Sequence, residues 1–289
     1  MLTVPRMISE RPENRLRLAG LVVVATAALT TPAFSNPSTL NVGYTISFWD
    51  IPFGHTNYDS EVGPNSYSAR AHFETGGVVG VFWKSVIDAS VIGAVGAQSI
   101  APALYDSHSK NRNRPLQQVK LTYENNDPST FADPPYSLTD FPVTQEQKRG
   151  ALDPMSAITS ILVGERATAT NPCGNGVKVF DGRRRYDINF TYLKDEPVRL
   201  TNGLFNGNAH LCQIHYNQIA GYDQKLVRAG RPFPDTFMDV VSFPAAGAPD
   251  GRYTVPVKFW SSLSFGAMTV TLDAVKVDGS DPLGPDSNN

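Results

Sequence analysis

The chain has 289 residues, and its 25 basic and 27 acidic side chains give a formal net charge of -2. This balance does not favour sequence-independent binding to nucleic acid, which needs several clustered lysine or arginine side chains. The 23 glycines and 22 prolines are scattered between short apolar runs, a composition typical of a chain with many strands and turns.

The N-terminus carries the pattern of a bacterial export signal. Arg15 and Arg17 precede an apolar run from Leu18 to Leu29, which is shorter than the roughly 20 residues that a membrane-spanning helix needs. Ala33 and Ser35 are small residues at the positions that signal peptidase recognises before its cut. We therefore predict cleavage after Ser35; the alternative is a retained signal anchor.

Cleavage would divide the chain into three parts. Residues 1–35 are the predicted signal peptide, residues 36–277 a single β-rich periplasmic domain, and residues 278–289 a disordered tail. No other stretch of the sequence is apolar and long enough to cross a bilayer as a helix. We therefore expect the exported domain to be peripheral to a membrane at most.

Much of the remaining sequence alternates apolar and polar residues at period two, which is the pattern of strands with one buried face. The predicted strands lie at residues 41–49, 66–74, 78–86, 117–123, 177–180, 183–193, 210–218, 238–243, 253–260 and 267–277. Residues 106–115 are polar and basic and are predicted to form an exposed loop. Residues 125–147 are predicted to be irregular.

One short helix is predicted among the strands. Asp153 is a preferred N-cap residue, and Pro154 suits the first helical position. Apolar residues, among them Ile158, then recur at helical spacing as far as Leu162, before Gly164. A helix of about ten residues is marginal alone, so we expect a large curved antiparallel sheet to wrap around it.

The two cysteines, Cys173 and Cys212, both follow the predicted signal and are predicted to form a disulfide in an oxidising compartment. The alternative is a pair of free or metal-binding thiols, because His210 and His215 flank Cys212. On a strand, however, His210 and Cys212 share a face while His215 lies on the other. Structural zinc also needs four ligands, so no metal site is predicted.

A predicted hairpin follows the first cysteine. Asp181 and Gly182 separate two strand-like runs and predict a type I′ turn. After the turn, alternation places Arg184 on one face and Arg183 and Arg185 on the other. The first face continues through Tyr186, Ile188, Phe190 and Tyr192.

The order of these landmarks resembles the exported bacterial proteins grouped as the domain of unknown function 3108. The matching segments are Asp50-Ile51-Pro52-Phe53-Gly54, Gly150-Ala151-Leu152-Asp153-Pro154, Phe180-Asp181-Gly182-Arg183-Arg184-Arg185-Tyr186-Asp187 and Val255-Pro256-Val257, together with both cysteines. The resemblance implies a mainly β periplasmic fold, in which a large curved antiparallel sheet forms an open or spiral β-barrel around one short helix. It implies no catalytic residue and no cofactor.

Candidate ligand-binding residues lie on the hairpin face that would point into such a barrel. Arg184 at the rim could hold a lipid phosphate or a carboxylate, because a guanidinium binds both in bidentate fashion. Tyr186, Phe190 and Trp83 could line a cavity for one apolar ligand. The plainer alternatives are a solvated or acid-paired arginine cluster and an ordinary aromatic core.

The sequence carries no catalytic signature. It has neither a Gly-x-Ser-x-Gly nucleophile turn nor a glycine motif that cradles phosphate. We therefore predict a non-enzymatic envelope protein that binds a lipid, a lipoprotein or a protein partner. Two alternatives remain open: a hydrolase of an envelope polymer that uses His72, Asp187 or His210, and a purely structural scaffold.

Overall fold

The computed structural model describes residues 36–76, 84–96, 99–112, 114–136, 141–164, 167–223, 225, 233–263 and 266–283. The predicted signal peptide and its cleavage site lie outside the described residues, as do Trp83 and most of the predicted strand at 78–86. None of the helices in the described ranges is long and apolar enough to span a membrane.

The described part of the chain is built almost entirely of strands. The strands are β1 (Ser38–Phe48), β2 (Ile51–Val62), β3 (Ser66–Thr75), β4 (Ser85–Val95), β5 (Ile100–Asn111), β6 (Gln117–Glu124), β7 (Asp127–Asp133), β8 (Val177–Phe180), β9 (Arg185–Arg199), β10 (Asn206–Ala220), β11 (Thr236–Pro244), β12 (Arg252–Leu263) and β13 (Gly266–Val277). The helices are α1 (Gln145–Lys148) and α2 (Pro154–Leu162).

These strands form one antiparallel sheet of thirteen strands in the order β7-β6-β5-β4-β3-β2-β1-β13-β12-β11-β10-β9-β8. Apart from β1 and β13, every neighbouring pair is consecutive in the chain, so the sheet is a meander that continues through the two terminal strands. Within the described residues β7 and β8 do not pair, and the sheet stays open between them. The predicted fold, a large antiparallel sheet forming an open barrel around one short helix, is confirmed.

Backbone register determines which side chains share the inner face of the sheet. One row crosses six neighbouring strands and consists of Leu40, Ser60, Ala69, Val91, Tyr105 and Leu121. Every side chain of this row is buried. The core therefore lies on the face that the curved sheet turns inward.

Helix α2 covers this part of the inner face. Asp153 caps the helix, and its carboxylate accepts a 2.8 Å hydrogen bond from the backbone N–H of Ser156. The hydroxyl of Ser156 lies 2.8 Å from the Tyr67 hydroxyl, and that of Thr159 lies 2.7 Å from the Tyr58 hydroxyl. The helix is thus held in the barrel by hydrogen bonds as well as by apolar contacts, and its buried hydroxyls are paired.

The two open edges of the sheet are joined by an irregular chain segment. Leu152, which precedes α2, forms a parallel bridge with Val179 of β8 and accepts a 2.8 Å hydrogen bond from the Phe180 N–H. The Gly150 N–H donates a 3.1 Å hydrogen bond to the carbonyl of Asn126 in the β6–β7 turn. Residues 150–152 therefore span the gap between β8 and the β6–β7 hairpin.

Two regions expected to lack regular structure contain strands. β5 continues to Asn111 through the predicted loop at 106–115, and β7 lies in the segment at 125–147 that was predicted to be irregular. In β5 the polar side chains of Asp106 and His108 share the outer face, while Ser107 lies on the inner face beside Ala89. Because serine occupies the inner positions, the sequence shows no apolar alternation there.

The predicted hairpin after β8 is confirmed, but its two-residue type I′ turn is wrong. The connection comprises Asp181–Arg184, and the Asp181 N–H donates a 3.1 Å hydrogen bond to the Arg184 carbonyl. The Asp181 carboxylate accepts hydrogen bonds from the N–H groups of Arg183 at 2.8 Å and Arg184 at 2.6 Å. An aspartate that binds the following backbone in this way stabilises a wider turn.

The described chain also extends beyond the predicted domain boundary at residue 277. The Asp278 carboxylate accepts hydrogen bonds from the Ser38 hydroxyl at 2.7 Å and from the Thr39 N–H at 2.8 Å. Leu283 packs against the core. The residues just after β13 are therefore tied to the start of β1.

Candidate functional site

The inner face loses its cover towards one end of the sheet. We call this the open end; it is the end at which the β1–β2, β3–β4, β5–β6 and β12–β13 connections lie. A second row of inner-face residues lies four residues closer to the open end than the buried row. It is formed by Leu272, Tyr44, Thr56, Phe73, Ile87 and Ser109. Phe73 is half-buried and Ile87 is 38% exposed.

The last inner positions before the turns are also apolar and half-buried. Ile46 lies beside Val270, and Phe48 lies beside Met268. The same face is therefore sealed beside helix α2 and accessible to water beyond it. Apolar side chains on an accessible concave surface are the usual lining of a ligand site.

Helix α2 and two tyrosines form the floor of this surface. Tyr58 on β2 is hydrogen-bonded to Thr159, and Tyr44 lies on β1 next to the half-buried positions. Burial raises the pKa of both phenols well above the usual range, so both remain neutral. Burial also raises the pKa of Asp153 to about 6, although its hydrogen bonds with Ser156 act in the opposite direction.

The residues predicted to bind a ligand lie in different surroundings. Arg184 is exposed, with its guanidinium 5.6 Å from the centre of the Tyr222 ring. Tyr186 packs near helix α2, whereas Phe190 packs against the Cys173–Cys212 cluster. Trp83 lies outside the described residues. A ligand-binding role for these four residues stays a prediction.

The disulfide lies at the centre of its own apolar cluster. The sulfur atoms of Cys173 and Cys212 are 1.97 Å apart, and both residues are buried. Met238 and Val240 complete the buried part of the cluster, and Phe190 packs against it. The bond therefore ties the segment after α2 to the middle of strand β10.

Sequence reasoning missed the buried arginine. Arg185 is 5% exposed, donates a 3.0 Å hydrogen bond to the Gln147 carbonyl, and forms a 2.7 Å ion pair with Asp187. Of the three adjacent arginines it is Arg185, and not Arg184, that enters the protein. The one sequence signal for a buried Arg185 was Asp187, because an acidic residue two positions later lies on the same face of the strand as Arg185.

The residues named for the hydrolase alternative have separate partners. His72 contacts Asp88 at 2.7 Å, and Asp187 contacts Arg185. His210 contacts Asp195 at 2.5 Å, and its strand β10 is six positions from β3 in the sheet order. Across the described ranges no group of three or more histidine, cysteine or acidic side chains is placed to hold a metal ion.

A comparison with protein-family models agrees with the resemblance found in the sequence. The family model described as "Protein of unknown function (DUF3108)" matches residues 43–273. No curated protein matches the chain. Among solved structures, a beta-barrel-like protein of the domain of unknown function DUF1849 from Brucella abortus is 12% identical, with a TM-score of 0.44; the match covers 84% of this chain and 98% of that one.

Proposed function

We propose that this chain, which belongs to the DUF3108 family, is an exported envelope protein that binds the acyl chain of a lipid or lipoprotein at its open end. One observation carries the proposal: the inner sheet face is fully buried beside helix α2 and remains apolar but accessible beyond it. Leu40 and Val91 represent the first region, Phe73 and Ile87 the second.

The chemistry of the open end suits an alkyl chain. Its inner positions carry the apolar side chains of Ile46, Phe73 and Val270 on β1, β3 and β13, with the small polar side chains of Thr56 and Ser109 among them. Burial of apolar surface contributes about 25 cal/mol per Å², so a chain of several methylene groups would bind without any charged partner inside the barrel. The phenols of Tyr44 and Tyr58 on the floor are neutral.

Export is supported by the sequence and by the cysteines. The N-terminal pattern of arginines, apolar run and small residues before position 36 is that of a secretory signal. The Cys173–Cys212 disulfide fits an oxidising compartment such as the bacterial periplasm. A lipid-binding protein in that compartment would act on molecules of the cell envelope.

The first test is native mass spectrometry of the protein purified from the periplasm, followed by solvent extraction and lipid analysis. We expect a discrete lipid to copurify and the stripped protein to bind a fluorescent fatty acid in a saturable manner. A clean mass without ligand, together with no saturable binding of the fatty acid, would overturn the proposal and favour a scaffold or a protein-binding role.

Two isoleucines of β4 provide a matched pair of variants. Ile87 lies on the inner face of the open end, whereas Ile92 is 53% exposed on the outer face. We expect Ile87→Glu to weaken fatty-acid binding at least about tenfold, because the carboxylate would be desolvated by the ligand. Ile92→Glu should bind as the wild type does. Equal affinity in the two variants would place the site elsewhere.

A further inference from the structure

We propose that the open end docks on the surface of an anionic phospholipid bilayer, through a rim of basic side chains and exposed apolar side chains. This proposal rests on the proposed function, because the bilayer would be the source or the destination of the acyl chain. The basic side chains of the rim lie outside the inner face.

Basic side chains gather at this end of the sheet. Lys84 precedes β4, and Lys110 is the last residue but one of β5. Arg112 and Arg114 lie in the β5–β6 connection, and all four side chains are exposed. The Arg112 N–H donates a 2.9 Å hydrogen bond to the Lys84 carbonyl, so the two connections are joined.

These cations line a groove on the outer side of the rim. The groove has a volume of about 640 Å³, and Lys84, Lys110, Arg112, His108 and Leu116 are among its lining residues. Asp88 is the acidic residue of the lining, and it is paired with His72. Within the described residues neither Lys84 nor Lys110 forms an ion pair, so both charges are available to the phosphates of lipid head groups.

Exposed apolar side chains occupy the same end. Trp49 is 64% exposed and Ile51 is 58% exposed at the β1–β2 turn, while Leu116 is 52% exposed at the β5–β6 connection. β2 and β5 are three strands apart, or roughly 14 Å at about 4.8 Å per strand. A flat partner can therefore contact both tips at once.

The position of Trp49 is fixed by its surroundings. The backbone N–H of Trp49 donates a 3.1 Å hydrogen bond to the Ala267 carbonyl. The indole lies against Gly266, and a Cβ added to Gly266 would be 2.2 Å from the indole Nε1. Trp49 has a φ of 50° and Asp50 a φ of 60°, a left-handed conformation that is unfavourable for a bulky residue. The fold thus holds a tryptophan in solvent at the cost of backbone strain.

Charge and side-chain type together identify the partner. Lysine and arginine near a membrane attract anionic lipid, and tryptophan favours the interface between head groups and acyl chains. In the lining of the groove, the three cations Lys84, Lys110 and Arg112 outnumber the one acidic residue, Asp88. An anionic bilayer matches both the basic and apolar rim and the acyl-chain site beside it. A protein partner would not require these two features together.

Vesicle flotation of the purified mature protein tests the inference. The vesicles are either phosphatidylcholine alone or an equal mixture of phosphatidylcholine and phosphatidylglycerol. We expect flotation with the anionic vesicles, loss of flotation at high salt because the charges are then screened, and little flotation with phosphatidylcholine alone. Absence of flotation with both kinds of vesicle, or equal flotation with both, would overturn the inference.

Charge-reversal variants locate the surface. The single variants Lys84→Glu and Lys110→Glu should each reduce partition into anionic vesicles about tenfold, and Leu116→Ser should also reduce it. Lys276→Glu, at the opposite end of β13, changes the net charge without touching the rim and should float like the wild type. Equal losses in the rim and Lys276 variants would overturn the inference, because net charge alone would then explain binding.

The fatty-acid assay separates the two proposals. Rim variants that lose flotation but keep fatty-acid affinity support docking through the rim. Wild-type protein that binds fatty acid but does not float overturns the docking inference and leaves the proposed function intact. Protein that floats through the rim but binds no fatty acid supports the surface and overturns the proposed function.

Discussion

Gly182 lies directly against Val119, and a Cβ on Gly182 would come within 2.6 Å of the Val119 Cγ1 atom. Gly182 belongs to the turn after β8, at one edge of the sheet, while Val119 belongs to β6, next to the other edge. The contact therefore brings together the two ends of the strand order. At this point the gap between the two open edges is bridged by the Val119 side chain packing on the Gly182 backbone, and not by strand pairing.

Gly182→Ala should lower the stability of the fold substantially. Gly182 has a φ of 93°, so an alanine would be strained in addition to clashing with Val119. We expect a loss of about 2–4 kcal/mol in the free energy of unfolding, measured by urea titration. Gly203→Ala is the matched control, because its φ is 77° and a Cβ there would meet nothing within 4 Å. Equal losses in the two variants would show that the contact with Val119 is unimportant.

The buried arginine gives a second pair of variants. Arg185→Met should lower the free energy of unfolding by about 2–3 kcal/mol, because it leaves the Gln147 carbonyl and the partly buried Asp187 without their partner. Arg184→Met changes the neighbouring exposed arginine and should alter the free energy of unfolding by less than about 0.5 kcal/mol. A similar cost for both would contradict the assignment of Arg185 as the structural residue.

The strand pattern of the sequence predicted most of the sheet, because period-two alternation depends only on which face is buried. It missed β2, β5, β7 and nearly all of β4. In β5, Ser107 and Ser109 occupy the inner face and remove the apolar signal. The helix was predicted from its cap, but its spacing placed Ile158 inside, whereas Ile158 is 41% exposed and Ser156 is buried. Local periodicity could not reveal that this helix meets the hydroxyls of tyrosines more than 80 residues away.

The candidate site was less predictable than the fold. The sequence indicated an apolar interior, but the accessible part of it is defined by where helix α2 stops, which is a tertiary relationship. Alternation predicted Arg184 as the inward residue, but Arg184 belongs to the turn stabilised by Asp181, and strand β9 begins only at the buried Arg185. The rim that contains Trp49 and Lys110 joins four connections that are far apart in the chain.

Loss of the disulfide should destabilise the protein in oxidising buffer. Cys173 and Cys212 are separated by 39 residues, and closing a loop of this length lowers the entropy of the unfolded chain. We expect Cys173→Ser to reduce the free energy of unfolding by about 4 kcal/mol, less any strain relieved. The double variant Cys173→Ser/Cys212→Ser should cost little more than the single one. An unchanged urea midpoint in Cys173→Ser would contradict a stabilising disulfide.

The buried carboxyl of Asp153 should make stability depend on pH. Burial raises its pKa from 3.8 to about 6, so the folded state favours the protonated form more than the unfolded state does. The stability contributed by the neutral carboxyl is complete below pH 3.8 and is lost as the pH rises through about 6. Asparagine is neutral and caps a helix as well as aspartate does. Asp153→Asn should therefore gain stability relative to the wild type as the pH rises, by at most about 3 kcal/mol.

Urea titrations of both proteins between acid and neutral pH measure this difference. Asp195→Asn serves as the control with the opposite sign, because hydrogen bonds from His210 and Tyr192 lower the pKa of the exposed Asp195 carboxyl. Asp195→Asn should therefore have a lower free energy of unfolding than the wild type at neutral pH. Parallel pH profiles for wild type and Asp153→Asn would mean that the folded state accommodates the ionised Asp153 as well as water does. In that event the Ser156 hydroxyl and the backbone N–H groups at the start of the helix must compensate fully for the burial of the Asp153 carboxylate.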